Sequence, residues 1–132
     1  MNKVVARFVD GRIIKGMTSD FAPGKDSFHV SEIGAAGWAK PLEIQTKELK
    51  ALFFVRDFGG DPQHVEQQEF DPKRPPLGRR IKVVFKDGEV LVGTTTGYQP
   101  RRPGFFLVPA DSGSNNERCY VVALATKEVS FL

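Results

Sequence analysis

The chain has 132 residues, a formal net charge of +3, 40% hydrophobic residues and 11 Phe, enough apolar material for a folded, soluble protein. Its single cysteine, Cys119, excludes an internal disulfide. No apolar run reaches signal-peptide or membrane length, and Asp10 and Arg12 interrupt the N-terminus early, so a cytoplasmic protein with no membrane partner is expected.

In KVVARFV, residues 3 to 9, Val4, Ala6 and Phe8 fall on one face of a strand and Val5, Arg7 and Val9 on the other. Asp10-Gly11 then gives a hairpin signal, because Gly tolerates positive φ and Asp bonds to nearby backbone. A second strand runs from Arg12 to about Asp20, and Gly16 within it marks a bend or bulge. FAPGKDS, residues 21 to 27, punctuates the chain before a short strand over Phe28 to Ser31. Residues 31 to 41 form a connection rich in Gly and Ala with one aromatic, Trp38. Leu42 and Ile44 open a fourth strand, TKEL makes a tight turn, and ALFFV, residues 51 to 55, is the fifth.

Residues 56 to 79 carry four Pro and no sustained periodicity, which defines a linker, with Phe58 and Phe70 available to pin it. The plan then repeats. VDGRIIKG at residues 9 to 16 returns as KDGEVLVG at residues 86 to 93. Asp10, Gly11 and Gly16 match Asp87, Gly88 and Gly93 at a separation of 77, as do Phe8 with Phe85, Thr18 with Thr95, Pro23 with Pro100 and Phe28 with Phe105. The six Asp and Gly residues are assigned to turns and bends. Thr46-Lys47-Glu48 matches Thr126-Lys127-Glu128 at a separation of 80, which predicts three extra residues in the second half and a turn at 126 to 128. The expected architecture is all-β: two tandem five-stranded small barrels, residues 1–55 and 80–132, joined by a Pro-rich linker at 56–79. Units this small bury only about 60% of their unfolded surface, so each is expected to pack on the other or on another chain. The C-terminus should be tied into a sheet.

Charge is unevenly spread. Residues 1 to 66 hold nine Lys/Arg and nine Asp/Glu, whereas residues 67 to 132 hold ten against seven. The excess sits in Lys73, Arg74, Arg79, Arg80 and Lys82, with Arg101 and Arg102 farther on; such a patch attracts phosphate, nucleic acid or an acidic partner, or else decorates a linker and strand edge. Arg101 and Arg102 lie between Pro100 and Pro103, close to Tyr98, Phe105 and Phe106, and aromatic faces beside guanidinium groups can stack bases and hold phosphates. His29, His64 and Cys119 have no zinc spacing, and no nucleotide-binding or acyl-transfer motif occurs, so neither a cofactor nor a metal is expected and no catalytic residue is assigned.

A strand, Asp-Gly, a second strand with Gly five residues after the first, then a third strand, a fourth, a tight turn and a fifth: this order resembles the Sm and Sm-like family in both halves, and the tandem arrangement is similar to bacterial proteins of unassigned function. The resemblance implies a strongly bent five-stranded, SH3-type barrel. Family members bind uridine-rich RNA through the loop after strand two and the loop between strands four and five. Here those places hold DFAPGKD and YQPRRPG, without the family's Asn, and TKEL and TKEV, without its Arg-Gly pair. What the resemblance implies is therefore assembly, because Sm-like barrels pair strand four of one unit with strand five of the next. Lys73, Arg74, Arg79 and Arg80 also invite comparison with the PilZ family, whose arginine-rich entry binds a cyclic dinucleotide, although ADSGSNNE, residues 110 to 117, lacks the spacing of its second motif. The expected function is a non-catalytic module that self-associates or binds protein partners through strand edges. The alternatives are a phosphate-directed RNA binder using Lys73, Arg74, Arg79, Arg80, Arg101, Arg102 and Tyr98, and, third, a cyclic-dinucleotide binder.

Overall fold

Apolar residues at every second position make strands, and the computed structural model, which describes residues 1–60, 63–70, 72 and 78–132, places ten among them. These are β1 (Asn2–Phe8), β2 (Ile13–Thr18), β3 (Ser27–Glu32), β4 (Leu42–Gln45) and β5 (Leu49–Val55), then β6 (Arg79–Phe85), β7 (Val90–Thr95), β8 (Gly104–Pro109), β9 (Asn116–Val122) and β10 (Thr126–Phe131). All neighbours are antiparallel, and they form one ten-stranded sheet of order β10-β6-β7-β8-β9-β5-β1-β2-β3-β4. Each half thus has the same order: fifth strand, first, second, third, fourth.

The repeated residues do the same work twice. Gly11 and Gly88 both have φ of 94°, a conformation that closes a three-residue hairpin loop at little cost only for glycine. The Asp10 and Asp87 carboxylates each accept a backbone N–H two residues on, from Arg12 and Glu89, at 3.0 Å. Where β2 and β7 bend, a Cβ on Gly16 would overlap the Ser31 carbonyl oxygen, and one on Gly93 that of Val108. The bare backbone lets β3 and β8 cross close by, and each crossing is tied by a threonine: Thr18 Oγ1 donates to the His29 carbonyl at 2.8 Å, and Thr95 Oγ1 to that of Phe106 at 2.7 Å.

The separation of 77 runs through the whole second half, and the three extra residues expected there are absent. The 3₁₀ turn before the fifth strand is Thr46–Glu48 in the first half and Ala123–Ala125 in the second. Thr126-Lys127-Glu128 does not turn; it opens β10. Packing of Val129 and Phe131 fixes the register of β10 against β6, and that outweighs the local likeness of three polar residues. Each fifth strand also carries a bulge at its start, opposite Arg7–Phe8 on β1 and opposite Val84–Phe85 on β6.

Each half curls over its own core, but β5 and β9 belong to both. On β5, Leu52 and Phe54 pack with Val4, Ala6, Phe28 and Val30 of the first half, whereas Ala51, Phe53 and Val55 pack with Ile81, Val83, Phe105 and Leu107 of the second. On β9, Cys119 and Val121 stay in their own core, while Tyr120 and Val122 enter that of the first half. All seven residues of β5 are buried in consequence. The pairing of these two strands, Ala51 with Val121 through Phe54 with Arg118, turns two marginal units into one sheet. Phe58 of the linker packs against the second core, and Arg80 lies 4.6 Å from the centre of the Phe70 ring.

Tyr120 is 1% exposed, and its hydroxyl has no hydrogen-bond partner among the described residues. Its ring lies 5.1 Å from that of Phe21 and 5.4 Å from that of Phe106. Tyr120→Phe removes an unsatisfied polar atom and keeps the packing, so it should leave stability unchanged or raise it by about 1 kcal/mol. Tyr120→Ala should cost roughly 3–5 kcal/mol. Urea unfolding of the two variants beside the parent measures both, and a destabilised Tyr120→Phe would mean that the hydroxyl is satisfied after all.

Candidate protein interface

A sheet that ends in β10 on one side and β4 on the other presents two rows of backbone groups to solvent. The β5–β9 junction shows how this fold takes up a neighbour at a fourth strand. Its face is apolar: Phe106 on β8, with Tyr120 and Val122 on β9, meets Phe21, Leu52 and Phe54. The Arg118 guanidinium lies 4.3 Å from the centre of the Phe54 ring and 4.8 Å from that of Phe106. Lys50, with a side chain only 11% exposed, reaches across the junction to Asp87 at 2.7 Å and to Glu89. Burial pulls the Lys50 pKa down, but bonds to these two carboxylates outweigh it and hold the ammonium above its ordinary range.

The same positions on the outer edges carry different chemistry. Seventy-seven residues before Phe106, Val108, Tyr120 and Val122 stand His29, Ser31, Glu43 and Gln45. Seventy-seven residues after Ala51 and Phe53 stand Glu128 and Ser130. His29 Nδ1 lies 2.7 Å from Asp20 Oδ2, and its Nε2 3.7 Å from Glu43. A β4 of four residues, preceded by Pro41, contrasts with a β9 of seven that has partners on both sides. Charges, a proline and a short strand are the means by which sheets limit unplanned edge pairing. The edges nonetheless keep exposed apolar side chains: Ile33 and Trp38 before β4 with Leu42 at its start, and Phe131 at the end of β10 with Leu132 just after it.

The basic residues expected to bind phosphate do not form one site. Lys73 and Arg74 lie outside the described residues. Arg79 and Arg80, successive on β6, point to opposite faces: Arg79 lies 3.6 Å from the centre of the Phe131 ring, and Arg80 stacks on Phe70. Tyr98, half-buried, packs edge-to-face with Phe105 at 4.9 Å and with Phe131 at 5.4 Å. Arg101 and Arg102 are exposed on their turn, and Arg102 Nε donates to Gln99 at 3.0 Å.

An open cleft of about 730 Å³ lies where the halves meet, lined by Arg7, Lys15, Phe53, Val55 and Phe58 on one side and by Glu89 and Leu91 on the other. At its rim His64 Nε2 is 2.6 Å from Asp111 Oδ2 and 3.9 Å from Glu66, and the three ligand-type atoms lie within 4.8 Å of one another, close enough for one cation. Hydrogen bonds already account for Asp111, which accepts from the Gln67 and Gly113 amides at 2.9 and 2.8 Å. These contacts pin the linker to the β8–β9 loop. Burial raises the Asp111 pKa, but the two amides and His64 bring it below the usual carboxylate range. Spacing in the sequence offered no sign of this latch, since His64 and Asp111 are far apart in the chain. Cys119 is buried, and burial first, then the charge of Glu89, pushes its thiol up to about 12, so it is no nucleophile at neutral pH. Among the described residues no helix is long and apolar enough to cross a membrane.

The whole chain, residues 1–132, matches the model of DUF6982, a family of unknown function, and belongs to that family. No curated protein and no solved structure matches it.

Asp20 anchors the outer face of β3. It accepts the His29 amide at 2.9 Å and the His29 ring at 2.7 Å, and its Oδ1 lies 3.3 Å from Thr18 Oγ1. The backbone bond from His29, then the ring, lowers its pKa from 3.8 to about 2. A carboxylate depressed in the folded state stabilises it above the unfolded pKa and loses that contribution as pH falls through the folded one. Asp20→Asn should therefore be less stable than the parent at pH 7, with the difference closing between about pH 4 and pH 2. Urea midpoints at pH 7, 4 and 2 would read this; an equal difference at all three would mean that the charge contributes nothing.

Proposed function

We propose that the protein is a non-catalytic assembly module, two Sm-like small barrels fused in one chain, which joins further copies or other protein partners through its two outer strand edges. The observation that carries the proposal is the β5–β9 pairing: the fold accepts a foreign fifth strand beside its fourth, and the sheet ends in one unfilled fourth strand, β4, and one unfilled fifth strand, β10. Main-chain hydrogen bonds supply attraction in such strand addition, and side chains on the alternate positions select the partner. With His29, Glu43, Glu128 and Ser130 where the inner junction has aromatic and aliphatic groups, outer pairing is reversible and the inner one permanent. An RNA ligand is the weaker alternative, since Tyr98 is half-buried against Phe105 and Phe131 and since Arg79 and Arg80 diverge; its signature would be binding that falls steeply with salt.

Copying the inner junction onto the outer edge tests the proposal. His29→Phe together with Glu43→Tyr gives β3 and β4 the residues of β8 and β9. Burying even one such side chain contributes about 1.5–3 kcal/mol, so the double variant should self-associate at least about tenfold more tightly than the parent in sedimentation velocity. A folded double variant that stays monomeric at every concentration would exclude edge pairing between copies.

A further inference from the structure

We propose that Trp38 is the anchor of a head-to-tail junction between two copies of this chain, packing over Leu132 at the end of the neighbouring copy's β10. This rests on the edge-pairing reading above and adds to it the partner and the contact that selects it. The inner junction is the template. There the last residue of β5, Val55, pairs with Asn116 at the start of β9. The preceding residue, Asn115, clamps the chain beyond β5: its carbonyl accepts the Arg56 amide at 2.9 Å, its side-chain oxygen accepts the Asp57 amide at 3.0 Å, and its side-chain amide donates to the Asp57 carbonyl at 2.8 Å.

Seventy-seven residues before Asn115 and Asn116 stand Trp38 and Ala39, and seventy-seven after Val55 stands Leu132. The loop that grips the strand end in the second half therefore carries tryptophan in the first. Trp38 is 88% exposed and Leu132 65% exposed. Trp38 brings an apolar ring to the position that Asn115 fills, and the apolar Leu132, just after β10, stands where Val55 does. At the other end of the copied junction Lys127 takes the place of Lys50 and Asp10 that of Asp87, but Arg12 stands where Glu89 does and already pairs with Asp10 at 2.8 Å, so little charge attraction is copied there. Between these points His29, Ser31, Glu43 and Gln45 make the β3–β4 side of the copied surface polar, which leaves Trp38 as its large apolar group, and tryptophan is among the residues enriched at interface hot spots. The two contacting surfaces differ, so the contact is heterologous and propagates from copy to copy.

Trp38 is the protein's one tryptophan, so its fluorescence reports the junction directly. The protein is titrated from low to high concentration, with emission and sedimentation followed together in the parent and in the His29→Phe/Glu43→Tyr variant. A blue shift of the emission that tracks oligomer formation is expected, and Trp38→Asn or Leu132→Asp should each weaken association at least about tenfold without altering the circular dichroism of the monomer. Oligomers that form while the emission stays that of exposed tryptophan would overturn the Trp38 contact and leave edge pairing standing. Protein that remains monomeric in both backgrounds would overturn both. A blue shift of dilute monomer on adding anionic phospholipid vesicles, without self-association, would assign Trp38 to a lipid surface and overturn the proposal.

Discussion

Everything in this molecule depends on β5 being paired on both sides. A small curled sheet of five strands has an apolar face large enough for a core and too little of it for a stable fold. Here the fifth strand of one half is buried over its full length between its own first strand and the fourth strand of the other half. Because side chains alternate along a strand, this position sends Leu52 and Phe54 into one core and Phe53 and Val55 into the other. Neither half has a core that it builds alone, so loosening β5 from β9 would expose both.

The two halves share a backbone and differ in what their outer faces are built to meet. Turns, bends and the threonine ties match residue for residue, since they are set by the chain's own geometry and tolerate little change. The faces beyond the cores diverge at matched positions: Phe106 against His29, Tyr120 against Glu43, Ala51 against Glu128. At these three positions apolar residues face the other half of the same chain and polar ones face solution, while the ends of the outer edges keep apolar groups such as Trp38 and Leu132. Effective concentration explains the division. A tethered partner is always present, so its face can be buried for good, while an equally apolar free edge would drive uncontrolled sheet extension.

The repeat was legible in the sequence because its signals are residues whose physics admits few substitutes: glycine at positive φ in Gly11 and Gly88, glycine under a crossing strand in Gly16 and Gly93, and alternation in β1 and β6. The three-residue shift inferred from Thr46-Lys47-Glu48 failed because three polar residues specify no conformation, whereas Val129 and Phe131 specify a face. The split of Arg79 from Arg80 follows from strand alternation, but only once residue 79 is known to lie in a strand rather than in the linker. The latch of His64 on Asp111 could not be read at all, since it depends on how the linker crosses the second half. For the candidate interface, the swap from Asn115 to Trp38 is visible in the sequence as soon as the separation of 77 is carried through the β3–β4 and β8–β9 loops; the mistaken shift had hidden it.

Fusing two copies of a strand-pairing unit also limits what it can build. In separate units every junction is the same, and a closed ring can hold any number the curvature allows. In the assembly proposed above, junctions would alternate between the inner kind, sealed by Phe54, Arg118 and Phe106, and an outer kind governed by His29, Glu43 and Trp38. A ring closed through both kinds must contain an even number of units, and its outer junctions are the weaker ones, so it would open and close by whole chains. Reversibility in such an assembly would reside in a few side chains at the outer edge while the core of each chain stays intact, which would separate the stability of the fold from the strength of the assembly.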